Sequence, residues 1–152
     1  MKKTGLLVLI VLVVILSAAF ISIPASAAVN RNNVAHLSGS EEVLPVDTSA
    51  VGQAIFKLSK DGPELSYKLI VANIEDVIAA HIHMAPAGQN GAVIVPLYTG
   101  GLIPGRFNGI LAEGTIDTSS YPGLVEAMMA GNTYVNVHTT QHPGGEIRGQ
   151  IK

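Results

Sequence analysis

Four of the five histidines of this chain fall in two short clusters. His81 and His83 lie in A-H-I-H-M-A-P at 80–86; His138 and His142 lie in V-N-V-H-T-T-Q-H-P-G-G-E at 135–146. On an extended strand, side chains two apart share a face. His81 and His83 therefore project together, with Ile82 opposite. The same rule puts Asn136 beside His138 and turns Val135 and Val137 away. If the two strands are neighbours, His81, His83 and His138 converge. Three neutral imidazoles without a thiolate suit Cu(II) or Zn(II). His142 falls in the T-Q-H-P-G-G turn and is the less favoured, fourth ligand. His36 reads as a strand residue outside the site. Two other readings fit the same residues. The imidazoles can form a polar network, donating to backbone carbonyls or pairing with a carboxylate such as Glu146, or they can act in catalysis without a metal.

The elements that must position these rings are short strands separated by Gly, Pro, Asn and Asp. Strands are expected at 34–39, 52–59, 64–72, 77–84, 92–98, 109–116, 133–139 and 146–151. In 52–59, Ala54, Phe56 and Leu58 share one face. In 64–72, Leu65, Tyr67, Leu69 and Val71 turn inward, and Ser66 and Lys68 outward. The K-D-G-P turn at 60–63 joins these two runs into a hairpin. Pro45 keeps 41–48 from being a central strand, and residues 100–105 read as loop. One helix is expected over 121–131, with Leu124, Val125, Met128 and Met129 at helical spacing and Gly131 at its end. Met84, Met128 and Met129 read as core filler. Gly88, Gly91, Gly144 and Gly145 read as turn residues with positive φ. Glu146 and Arg148 share a strand face and can pair with each other or with a neighbouring strand; Arg148 can alternatively guide an anion. The pattern predicts an all-β fold: an antiparallel Greek-key β-sandwich of immunoglobulin-like character, with one short helix.

Composition narrows the function. The chain has 152 residues and no cysteine, which excludes disulfides, thiolate catalysis and cysteine metal sites. The segment 1–27 reads as a secretory signal peptide: Lys2 and Lys3, an apolar run from Leu6 to Ile23, then Pro24 and the small-residue site Ala25-Ser26-Ala27. Cleavage after Ala27 would leave one domain, 28–152. The alternative is an uncleaved anchor, the one route by which this chain would meet a membrane. Without Lys2 and Lys3, seven basic residues face eleven acidic ones, a net charge near −4. No Lys/Arg run is present to neutralise phosphates, so nucleic acid is not an expected partner. No G-x-S-x-G, H-E-x-x-H, P-loop or dinucleotide motif is present.

Three stretches carry a family resemblance: L-S-G-S-E-E-V-L-P-V at 37–46, A-A-H-I-H-M-A-P-A-G-Q-N-G-A-V-I-V-P-L at 79–97, and A-G-N-T-Y-V-N-V-H-T-T-Q-H-P-G-G-E-I-R-G-Q-I at 130–151. In these the chain resembles the CHRD domain, a module named after chordin and also found in short exported prokaryotic proteins. The resemblance implies an immunoglobulin-like β-sandwich and brings no settled biochemical activity. In chordin-like proteins the domain accompanies binding of secreted growth factors. The cysteine-rich modules found there are absent here, and that role is not carried over. The H-x-H pair is also similar to that of the copper site in copper/zinc superoxide dismutase, an analogy of fold and motif.

Three functions follow as expectations. The first is an exported, single-domain binding or structural module, secreted or extracytoplasmic and associated with the cell surface. It meets a protein or surface partner and carries a histidine site for Cu or Zn. The second is a copper-dependent redox enzyme of superoxide-dismutase type. Against it, a two-metal site draws on more histidines than five. The third is an adhesion or matrix domain whose histidines are purely structural.

Overall fold

The computed structural model describes residues 32–152. The expected signal peptide, 1–27, and the expected mature start at Ala28 lie outside the described residues. Seven antiparallel strands and one short helix make up the described chain: β1 (Asn32–Ser38), β2 (Val51–Leu58), β3 (Glu64–Met84), β4 (Ala92–Tyr98), β5 (Ile103–Asp117), α1 (Leu124–Met129), β6 (Thr133–Thr139) and β7 (Ile147–Gln150). None of the described helices is long and apolar enough to cross a membrane.

The β2–β3 hairpin forms as its alternation and turn predict, with Leu58 opposite Leu65 and Ala54 opposite Leu69. The segment 41–48 makes no strand. The two strands expected at 64–72 and 77–84 are one strand of 21 residues. It survives Asn73 and Asp76, which adopt φ of 56° and 51°. Asn and Asp tolerate this left-handed region better than other non-glycine residues. Both are held across the sheet. Asn73 donates its N–H to the Asn108 side chain at 2.8 Å, and Asp76 accepts from the Gly105 N–H at 2.7 Å. Those partners belong to β5, which starts at Ile103 and so takes in residues that the sequence reads as loop.

The bulges let β3 serve two neighbourhoods. Its first half pairs with β2 on one side and β5 on the other; its second half pairs with β6 and β4. The chain therefore closes on itself through β1, β2, β3, β6 and β7. The antiparallel, all-β expectation is met. The difference from two stacked sheets is this closure, and its cause is a strand long enough to belong to both. Closure is completed where Ser38 of β1 meets Arg148 of β7. Gly149 permits it: a Cβ there would collide with the His36 carbonyl of β1.

The core fills the inside of this ring, with Leu37, Phe56, Leu69, Ile82, Val135 and Ile147 all buried. Each such side chain contributes roughly 1.5–3 kcal/mol of burial. The helix is shorter than expected. Leu124 and Met128, one turn apart, are its buried residues, while Met129 is exposed. Met84 is exposed as well, so of the three methionines read as core filler only Met128 is core. Gly131, with φ of 69°, ends the helix region as its type suggests.

Candidate functional site

On the second half of β3, Ala80 and Ile82 face the core and are fully buried. His81 and His83 therefore face outward. β6 lies alongside in a register that pairs His81 with Asn136, His83 with Tyr134 and Ala79 with His138. Val135 and Val137 face the core, so His138 joins the two β3 histidines on the outer face. The three ring centroids are 5.0–5.8 Å apart. One nitrogen from each ring lies within 4.8 Å of the others. His83 and His138 are only 7% and 8% exposed, and His81 is half-buried.

Backbone carbonyls fix two of the rings. His83 Nδ1 lies 3.0 Å from the Gly91 carbonyl oxygen, and His138 Nδ1 lies 3.0 Å from that of Pro143. A carbonyl only accepts, so both Nδ1 atoms carry the hydrogen and both Nε2 atoms keep a lone pair. The His83 Nε2 is buried and has no hydrogen-bond partner. His138 Nε2 lies 3.1 Å from His81 Nδ1. Without a metal this is a hydrogen bond donated by His81. With one, it matches the edge of a tetrahedron of about 3.3 Å, given metal–nitrogen bonds of about 2.0–2.1 Å. Burial lowers the pKa of all three rings. For His138, burial and the neighbouring histidines outweigh the Pro143 carbonyl and bring it from 6.5 to about 4. The rings are neutral at neutral pH, the form that binds metals.

A second layer packs behind them. The Tyr134 ring stacks on His83, with centroids 4.8 Å apart and planes 11° apart. The Arg148 guanidinium sits 3.5 Å over the Tyr134 centroid. The two cannot share one face of the ring, so Tyr134 is sandwiched between them. On the other flank, Glu146 accepts hydrogen bonds of 2.7 Å from both Thr48 and Thr139. Asn136 donates to Glu42 at 3.4 Å. Burial raises the Glu42 pKa, against the opposing pull of Arg148 and Asn136.

A family model for the CHRD domain matches residues 34–151. The chain belongs to the CHRD domain family. It is also 30% identical over 122 residues to chordin of Danio rerio; the match takes in 76% of this chain and 12% of chordin. The chain thus corresponds to a small part of that relative's length. No solved structure gives a significant match.

This CHRD domain brings together His81, His83 and His138 and leaves the other two histidines apart. His36 is exposed on β1. His142 acts through its backbone, accepting from the Gly145 N–H at 3.0 Å and donating to Thr139 Oγ1 at 3.1 Å to shape the turn. Glu146 and Arg148 do not pair with each other: the first binds threonines, and the second binds loop carbonyls. Of the four glycines read as turn residues, Gly88 and Gly145 have positive φ. Gly91 is needed for a different reason, because a Cβ there would collide with the Met84 carbonyl. Sequence reasoning missed Tyr134, Thr48 and Glu42. Tyr134 was within reach of the i+2 rule, which places it with Asn136 and His138. Thr48 and Glu42 come from the irregular 41–48 segment, where no periodicity marks a face.

Proposed function

We propose that this CHRD domain is an exported, single-domain binding module, secreted or extracytoplasmic, whose outer face holds one Cu or Zn ion between His81, His83 and His138. The observation that carries the reading is the pair of carbonyl-fixed imidazoles. Gly91 and Pro143 hold the Nδ1–H of His83 and His138, which leaves both Nε2 lone pairs available to a ligand, that of His83 unpartnered and that of His138 in exchange for its hydrogen bond from His81. Ligand histidines in metal sites are commonly fixed this way. The family resemblance and the similarity to chordin support a role in binding a protein or surface partner outside the cell; the partner is part of the proposal.

The test is metal titration of residues 28–152 prepared without a histidine tag. Cu(II) or Zn(II) should bind near one equivalent and raise the unfolding midpoint by mass action. Affinity should fall on acidification, because each ligand binds in its deprotonated form. His83→Ala and His138→Ala should each weaken binding by about 100-fold or more, beyond the range for outer-layer partners, and His36→Ala should leave it unchanged. Absence of binding at neutral pH would favour the second reading. In that reading the His81–His138 hydrogen bond of 3.1 Å is the resting function of the pair and the histidines stitch β3 to β6. The alanine variants would then cost roughly 1–3 kcal/mol of stability whether metal is added or not.

A further inference from the structure

We infer that Arg148 is the positioning residue of the histidine trio: it locks the 86–91 loop, and through the Gly91 peptide that loop sets the tautomer of His83. The inference rests on the proposed metal site for its functional consequence, and on the following geometry for its mechanism.

Arg148 is 1% exposed and bonds no carboxylate directly. A buried cation of this kind is costly unless its donors are met. Three of its five N–H groups are met by the loop. Nη1 donates to the Asn90 side chain at 3.2 Å, and Nη2 donates to the carbonyls of Gln89 at 2.9 Å and Pro86 at 3.4 Å. The face of the guanidinium rests on Tyr134, and a cation over an aromatic face is attractive. Three loop residues are thus tied to one planar group projecting from β7.

The next residue along the loop is Gly91, and its backbone is held on both sides. Its N–H donates to the Tyr134 hydroxyl at 3.2 Å, and its carbonyl accepts from His83 Nδ1 at 3.0 Å. The two arms of Arg148 converge here. Its hydrogen bonds bring the loop to this place, and its stack keeps the Tyr134 ring against His83. An imidazole released from that carbonyl samples both tautomers, and a hydrogen on Nε2 blocks the lone pair the site needs. Lysine cannot replace the arginine. It carries the charge but lacks both the flat face and the fork of N–H groups.

Two measurements on the same proteins test this. Long-range ¹H–¹⁵N spectra of the histidine rings report the His83 tautomer without any metal. Competition with a chromophoric chelator reports Cu(II) or Zn(II) affinity. Wild type should show His83 with its hydrogen on Nδ1. Arg148→Lys should lose that signature and bind metal about 10- to 100-fold more weakly, the range for partners that orient a ligand, although no ligand has been changed. Asn90→Ala removes one partner of Arg148 and leaves the stack, so it should fall in the same direction by a smaller factor. If Arg148→Lys does not fold, Asn90→Ala decides. Folded variants with a wild-type tautomer and wild-type affinity would overturn the inference. If wild type binds neither metal, the metal site is refuted, and a shift of the His83 tautomer in Asn90→Ala still decides whether the loop sets it.

Discussion

Along residues 64–71 of β3 the inner face is apolar and the outer face is open water. Leu65, Leu69 and Val71 are buried, and outside them Lys68 pairs with Glu113 of β5 at 3.1 Å with both side chains about half exposed. Along residues 77–84 the inner face is again apolar, with Val77, Ala80 and Ile82, but the outer face is covered. His83, Asn136, His138, Glu146 and Arg148 are all less than 9% exposed there. One strand therefore carries an ordinary solvated face and a buried polar face. The difference lies in what packs outside. Over the first half there is solvent. Over the second half lie the 86–91 loop, the turn that carries Pro143, and the segment that supplies Glu42 and Thr48. Polar groups cost most where water is excluded, and they interact most strongly there too. The second half is accordingly where chemistry is expected.

The largest effect that separates the halves is in acid. His138 is held neutral, with its pKa near 4 in the folded chain against 6.5 as its ordinary value. Between those values the unfolded chain binds the extra proton, so stability falls as pH drops from 6.5 towards 4 and levels off below that for this group. The loss from His138 alone is on the order of 3 kcal/mol. His81 and His83 shift in the same direction and add to it. Urea unfolding across this window should give a steep dependence in wild type and a flatter one in His138→Gln. Equal slopes would mean that the polar face is wetter than its burial indicates.

The next effect is a matter of hydrogen bonding. Thr139→Val removes the donor to a Glu146 carboxylate oxygen, a buried contact of 2.7 Å, together with the acceptor of the His142 N–H at 3.1 Å, at constant shape. The expected loss is about 1–3 kcal/mol, the cost of stranding a buried acceptor. Chemical denaturation measures it directly. A change below half a kcal/mol would show that the layer around Glu146 readily finds another donor.

The smallest effect belongs to the solvated half. Lys68→Ala breaks the pair with Glu113, and the loss should stay under about 1 kcal/mol and shrink further in high salt. A larger loss would erase the contrast between the two outer faces.

Much of this was legible in the chain. The hairpin around 60–63 rests on period-two alternation and a D-G turn, which act between near neighbours. The shared face of His81 and His83 follows from strand geometry alone. So does the opposition of His138 to Val137. The absence of cysteine leaves burial and hydrogen bonding to hold the fold, and the chain contains the apolar strand faces to do it.

Only the tertiary structure decided which face the histidines took. His81 and His83 have the same odd parity as Leu65, Leu69 and Val71, so an unbroken β3 would have driven two imidazoles into the apolar core. The irregularities at Asn73 and Asp76 each shift the alternation and together cancel, since Ile74 and Val77 are both buried; the register shift against β6 between Val77 and Ala79 moves it a third time, so that even-numbered Ala80 and Ile82 point inward instead. The Asn73 and Asp76 conformations are held by Asn108 and Gly105, more than 25 residues away in sequence. The meeting of His138 with His81 is likewise a matter of register between strands 57 residues apart. Nearby residues dictate the pitch of a strand. Which side of it becomes the inside depends on distant partners that sequence periodicity does not reveal.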